Sequence, residues 1–285
     1  MGAPIAIAAD QRGRVFVCDE KLNAVIELDS TATIRGEIAQ RGVGPGELSL
    51  PTAVAVQEGR LLVADACFRL QVFDSTLRFV NSYPLDWEVV PFEGLGVFGN
   101  VVCIPFGPLP AYRSKIVHFY ELGDGHMHLI GSLFDYVRPK KRYSDPTGAL
   151  LTQNRVRLAT DGRRYLAVGR PHEAFVSVVD VTARVAWRYV FQGAEIRRRK
   201  KRGLGPGWPD FAAIPLYGAL SFDPPGKLWV QFEFGILRLE PGADLQCVLF
   251  VPESACTAGE AVLPGALSGD CALPHISRLG RRGTP

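Results

Sequence analysis

The residues best equipped for chemistry are cations that come in two bursts. Arg138, Lys140, Lys141 and Arg142 form the first, beside Phe134, Tyr136 and Tyr143. Arg197, Arg198, Arg199, Lys200, Lys201 and Arg202 form the second, an unbroken run of six, with Trp208 and Phe211 downstream. Guanidinium and ammonium groups gather phosphates or carboxylates, and flat rings beside them stack on bases. The combination suits single-stranded nucleic acid, an acidic protein surface or another polyanion. The competing reading is a solvated basic loop that keeps the chain soluble. The whole chain carries only +3, and ten of its 32 Lys and Arg fall in these two bursts, so its basic character is local.

Other polar residues offer less. His172, which follows Arg170-Pro171, joins the ligand-binding set as the best single candidate for an acid or base. His126 and His128, two apart on a strand, share a face, but no third ligand stands at a recognisable spacing, and no metal is expected. Asp19 and Asp65 recur at matching places in a repeat, which points to a local task such as bonding turn amides, with Arg69 as partner to such an acid. Gly94-Leu95-Gly96 and Gly203-Leu204-Gly205 lie between strands rather than opening helices, so no nucleotide-binding loop is read and no cofactor is expected. Six cysteines without a C-x-x-C pair are too dilute for a disulfide framework; they read as buried thiols, a Cys256 to Cys271 bridge being the exception.

The elements that must position these residues are strands. Glycine (30) and proline (21) are frequent enough to enforce many turns and few long helices. Gly13-Arg14-Val15-Phe16-Val17-Cys18-Asp19 matches Gly59-Arg60-Leu61-Leu62-Val63-Ala64-Asp65, with weaker copies beginning at Gly99, Gly162 and Gly226. Each copy is a glycine turn feeding an apolar run, followed by further runs such as Phe175–Asp180 and Ile236–Leu239. About four short strands per unit result. Leu61 to Ala64 are apolar at successive positions, so both faces of each sheet must be covered. Sheets stacked face to face around an axis meet that demand. The expected fold is therefore all-β: a β-propeller of four-stranded antiparallel blades, five of them clear, with a degenerate sixth possible in the tail.

Arg41-Gly42-Val43-Gly44-Pro45-Gly46-Glu47-Leu48, then Pro51, Val54-Ala55-Val56, Gly59–Asp65 and Arg69–Asp74, resembles the NHL repeat of six-bladed β-propellers. Arg202-Gly203-Leu204-Gly205-Pro206-Gly207 echoes Arg41–Gly46 and marks another inter-blade segment. The resemblance implies six blades and, for some members, an electropositive face that binds polyanions. Related six-bladed hydrolases and lyases hold a divalent cation in the channel through Glu, Asp and Asn. Here the innermost strands offer mainly Ala, Val, Ile and Leu, which weighs against a channel metal. Blade 1 begins at its innermost strand, so no exchange of a terminal strand is read. Either the ring has five blades, or the tail supplies a sixth, or an upstream segment is missing.

The repeat glycines are separated by 46, 40, 63 and 64 residues. The two long intervals place insertions at Phe134–Ala149 and Gly193–Ala213, both between the last strand of one blade and the first of the next. In a propeller such connections emerge on one face, so the two cationic insertions are expected side by side. The domain division expected is a propeller over residues 3–251 and a turn-rich tail over 252–285. The function expected is a non-catalytic scaffold presenting basic loops to an acidic partner, protein or RNA. The alternative is a propeller hydrolase or lyase with its site at the channel mouth. Met1 to Ala9 is apolar but has no Lys or Arg before it and soon reaches Asp10, so no signal peptide is read, giving a cytoplasmic expectation for the chain as it stands. The uncharged stretch Gly94–Tyr112 holds three prolines and four glycines and reads as strand and loop, not a membrane span.

Overall fold

A computed structural model describes residues 2–10, 12–85, 94–105, 115–137, 143–182, 185–191, 194–201, 215–223, 226–232, 235–241, 248–250 and 265–266. Blade 1 consists of β1 (Pro4–Ala9), β2 (Val15–Asp19), β3 (Ala24–Leu28) and β4 (Ile34–Ile38), hydrogen-bonded in that order. A short parallel pair, β5 (Gln40–Arg41) and β6 (Glu47–Leu48), leads to blade 2: β7 (Pro51–Gln57), β8 (Arg60–Asp65), β9 (Arg69–Phe73) and β10 (Phe79–Pro84). Blade 3 is β11 (Gly96–Phe98), β12 (Val101–Pro105), β13 (Lys115–Leu122) and β14 (Met127–Asp135). Helix α1 (Pro146–Asn154) precedes blade 4: β15 (Arg157–Thr160), β16 (Tyr165–Gly169), β17 (Phe175–Asp180) and β18 (Val185–Val190). Helix α2 (Ala194–Lys201) precedes blade 5: β19 (Tyr217–Phe222), β20 (Leu228–Phe232), β21 (Gly235–Leu239) and β22 (Val248–Phe250). The two-residue β23 (Gly265–Ala266) pairs with the outer edge of β18.

First strands stand side by side, β1 against β7, β7 against β11, β11 against β15, and β15 against β19. The fold is an all-β propeller of five blades in a ring. Five blades are formed by the described residues, where the NHL resemblance implies six. Each blade uses its own first strand innermost, so blade 1 is built from one continuous segment.

The successive apolar residues of β8 explain the stacking. Leu61 and Val63 join Phe16, Cys18 and Val25 in a core between blades 1 and 2. Leu62 and Ala64 join Val97, Val102 and Ile104 in the next core, between blades 2 and 3. Alternate residues of one strand thus enter different cores, as the pleat requires. Burying each such aliphatic side chain stabilises by about 1.5–3 kcal/mol before entropy is counted. Two further cores lie between blades 3 and 4 and between blades 4 and 5. Cys18 and Cys103 are buried thiols in these layers, and burial pushes the Cys18 thiol up to about 12. Cys256 and Cys271 lie outside the described residues.

Repeat glycines serve the inner turns. At Glu58-Gly59 both residues have positive φ (51° and 78°), a two-residue hairpin between Gln57 and Arg60 whose twist matches that of the strands. The blade 1 equivalent is longer: Asp10 accepts from the backbone N–H of Arg12 and Arg14 at 2.9 Å each, around Gly13. The Gly94–Tyr112 stretch contributes β11 and β12, and among the described residues no helix is long and apolar enough to cross a membrane.

Candidate binding face

Within each blade the first strand runs toward the end that carries the hairpin turns, and the second strand returns. Connections from blade to blade therefore share the opposite end with the loops between second and third strands. Both cationic excursions leave and rejoin the propeller at that end. The first starts later than the sequence suggests, because β14 continues through Phe134 and Asp135, and it ends at Arg157.

Hydrogen bonds tie the two excursions together through the β16–β17 loop. The Arg170 Nη2 donates to the Asp135 carbonyl at 2.7 Å, where the first excursion departs. The Leu216 N–H donates to the Pro171 carbonyl at 2.6 Å, where the second returns. The Tyr217 hydroxyl is shared between the carbonyls of Arg170 (2.9 Å) and Phe175 (3.1 Å). One short loop is thus braced against the base of both.

Sequence reasoning expects loops in the insertions, but each carries a helix. In α1 the Asp145 carboxylate accepts from the Gly148 N–H at 2.9 Å, and Pro146 occupies the first turn, where its missing N–H costs nothing. The Asn154 side chain closes the base of this excursion, accepting from the Val137 N–H (2.7 Å) and donating to the Val137 carbonyl (2.8 Å). In α2, Ile196 enters the core between blades 4 and 5. Arg199, three residues on, shares that helix face and is only 8% exposed, its Nη1 donating to the Pro215 carbonyl at 3.1 Å.

The expected ligand-binding cations are therefore not equivalent. Arg197 and Arg198 are exposed on α2. Arg199 is turned inward. Lys200 and Lys201 are part of the helix, but their side chains lie outside the described set, as do Arg138, Lys140, Lys141, Arg142, Arg202 and Trp208 altogether.

His172 lies in the bracing loop and is half-buried. Burial lowers its imidazole below the ordinary value; Glu173 works against this and Arg170 with it. Arg170 and Glu173 form a pair at 3.4 Å. Burial also pushes the Tyr217 phenol far up, and lowers Arg157. Arg157, not singled out from sequence, is the one charged residue among the described lining of a central channel of about 390 Å³. The channel is otherwise bounded by first strands rich in Ile, Val and Ala.

Asp19 and Asp65 perform the structural task expected of them. Asp19 accepts from the N–H groups of Gly2 (2.6 Å), Ala3 (3.0 Å) and Leu22 (3.0 Å). Burial acts to raise its pKa, but these amides outweigh it and hold the carboxyl below the usual range. Asp65 pairs with Arg69 at 2.9 Å, and Arg69 also donates to the Gly44 (3.1 Å) and Glu47 (2.8 Å) carbonyls of the β5–β6 loop. His126 and His128 are exposed at the opposite end of blade 3, His126 before the strand and His128 on it. No group of three or more His, Cys, Asp or Glu able to hold a metal occurs among the described residues.

The chain matches no protein-family model and no curated protein. Among solved structures it is similar to the hydrazine synthase of Kuenenia stuttgartiensis (13% identity, 84% of this chain and 77% of that one, TM-score 0.49). It is similar also to virginiamycin B lyase from Staphylococcus aureus (10%, 87% and 70%, 0.48). A third is the Cps50 (Swd1) β-propeller domain of Myceliophteria thermophila (12%, 87% and 71%, 0.48). Likeness of this degree carries neither activity nor ligand from those proteins to this chain.

Proposed function

We propose that the protein is a non-catalytic binding scaffold whose blade-connecting end presents two basic excursions to an acidic macromolecule. What supports this reading most is the loop Arg170–Ala174, hydrogen-bonded to the start of one excursion and the end of the other. Two cation bursts 55 residues apart in sequence, counted from Arg142 to Arg197, would then act as one surface. In the same proposal the propeller domain is assigned to 3–251 and a tail to 252–285, of which Gly265–Ala266 pairs with β18, and the repeats are of the NHL type.

The test replaces Arg197–Arg202 with Ser and follows retention on heparin and affinity for single-stranded RNA across a salt series. A shallower dependence on salt is expected, since each lost phosphate contact removes about 0.7 from the slope on a single strand. An unchanged slope would exclude contact of the run with a polyanion.

The second reading is a hydrolase or lyase at the channel mouth. It draws on His172, in the β16–β17 loop at the same end as the blade connections, whose imidazole burial lowers below its ordinary value. Its test is turnover of ester and lactone substrates that disappears in His172→Ala.

A further inference from the structure

At the foot of α2 lies a cavity of about 220 Å³, walled by Arg199, Tyr217, Gly218, Gln231 and Phe232 and by Pro215. It opens on the same end of the propeller as the basic excursions, because β19 starts there and β20 finishes there. We propose that this cavity receives one carboxylate-bearing side chain, Glu or Asp, of an acidic protein partner. The proposal rests on the acidic-partner reading above and deepens it by naming the group that is gripped.

Three observations carry it. Arg199 is the single charged residue among the described residues lining the cavity, and it is more than nine-tenths buried although it belongs to a run of six cations. A guanidinium held against the Pro215 carbonyl presents a planar fork whose shape matches a carboxylate. In a site walled by the rings of Tyr217 and Phe232 (centroids 6.0 Å apart, planes inclined at 68°), such a pair is stronger than it is in open water.

Size selects the ligand. Cavities for whole small molecules run from about 300 to 1,000 Å³. This one suits a single side chain entering end-on. A phosphodiester, substituted on both sides, has no free end to insert, so a protein carboxylate is favoured over RNA. A Cβ added at Gly218 would meet nothing within 4 Å, so the wall there is open. The exposed Gln231 supplies a neutral amide at the rim, able to donate to the same carboxylate.

The experiment compares poly-L-glutamate with polyuridylate as probes, using the full chain and three variants. Arg199→Gln should weaken poly-L-glutamate roughly tenfold, the value of one charge-assisted contact, and leave polyuridylate within about twofold. Gln231→Glu, on an exposed side chain that leaves the fold intact, should also weaken poly-L-glutamate selectively, by placing a like charge at the rim. The pair Arg197→Ser/Arg198→Ser should weaken both polymers and flatten their salt dependence. The pocket is overturned if Gln231→Glu and a folded Arg199→Gln both bind poly-L-glutamate like the parent, or if Arg199→Gln weakens both polymers equally. Should Arg199→Gln fail to fold, Gln231→Glu decides. If the parent retains neither polymer, the acidic-partner reading falls separately. The pocket is then judged by saturation transfer from N-acetylglutamate, where a signal lost in Gln231→Glu supports it and no signal, or an unchanged one, overturns it.

Discussion

Asp65 shows what a single repeat residue does here. Its carboxylate is fully buried, and its partner Arg69 is 12% exposed while reaching into the β5–β6 loop. Asp65→Ala would leave a nearly buried guanidinium without its counter-charge, a loss of about 3 kcal/mol measured by urea unfolding. A variant within 1 kcal/mol of the parent would show that the loop carbonyls alone satisfy Arg69. His172 is the other residue with a measurable signature. Burial lowers its native pKa below the unfolded value of about 6.5, so in the interval between the two the unfolded chain binds more protons. Its contribution is therefore complete above about pH 6.5 and is lost as pH falls toward the native pKa. His172→Gln should flatten the pH dependence of the urea midpoint below about pH 6.5. The same slope in parent and variant would place the imidazole in water.

At the level of elements, what was legible in the sequence depended on local chemistry. Gly59 announced a turn because its backbone needs positive φ, and the repeat fixed the strands on either side. The segment Glu20 to Leu28 is tolerable as a helix by propensity, yet the repeat pairs it with the β-rich Phe68–Phe73, and its second half is the strand β3. The same reading passed over α1, although Asp145-Pro146 is a cap followed by proline in the first turn. It also treats the six consecutive cations as one basic loop of equivalent ligands. The inward turn of Arg199 follows from the phase of Ile196 on the helix, which only tertiary packing sets. Gly59→Val tests the turn directly. A β-branched residue at φ 78° is strained, and its Cβ would lie 3.2 Å from the Ser75 Cβ. A cost of about 2 kcal/mol is expected from these two effects, and normal thermal stability would refute the turn.

For the molecule as a whole, the decisive property is that four of the five cores among the described residues are shared by two blades, the fifth (Val17, Ala24, Ile26 and Leu28) lying within blade 1. Ile104 of blade 3 packs in the layer shared with Val72 of blade 2. Val230 of blade 5 belongs to the layer shared with blade 4. Stability is then spread over separate interfaces, each of which two blades complete together, and perturbations should obey that map. Ile104→Val alone should cost about 0.5–1.5 kcal/mol. Combined with Val230→Ala it should add within about 0.5 kcal/mol, because the two sites share no partner. Combined with Val72→Ala it should depart from additivity by at least that much, because both substitutions enlarge one layer and its remaining side chains relax into a common space. Denaturant unfolding of the five variants measures both cycles against the parent. Equal coupling in the two cycles would mean that the layers behave as one continuous core, and that a change at the basic end of blades 4 and 5 cannot be made without disturbing blades 2 and 3.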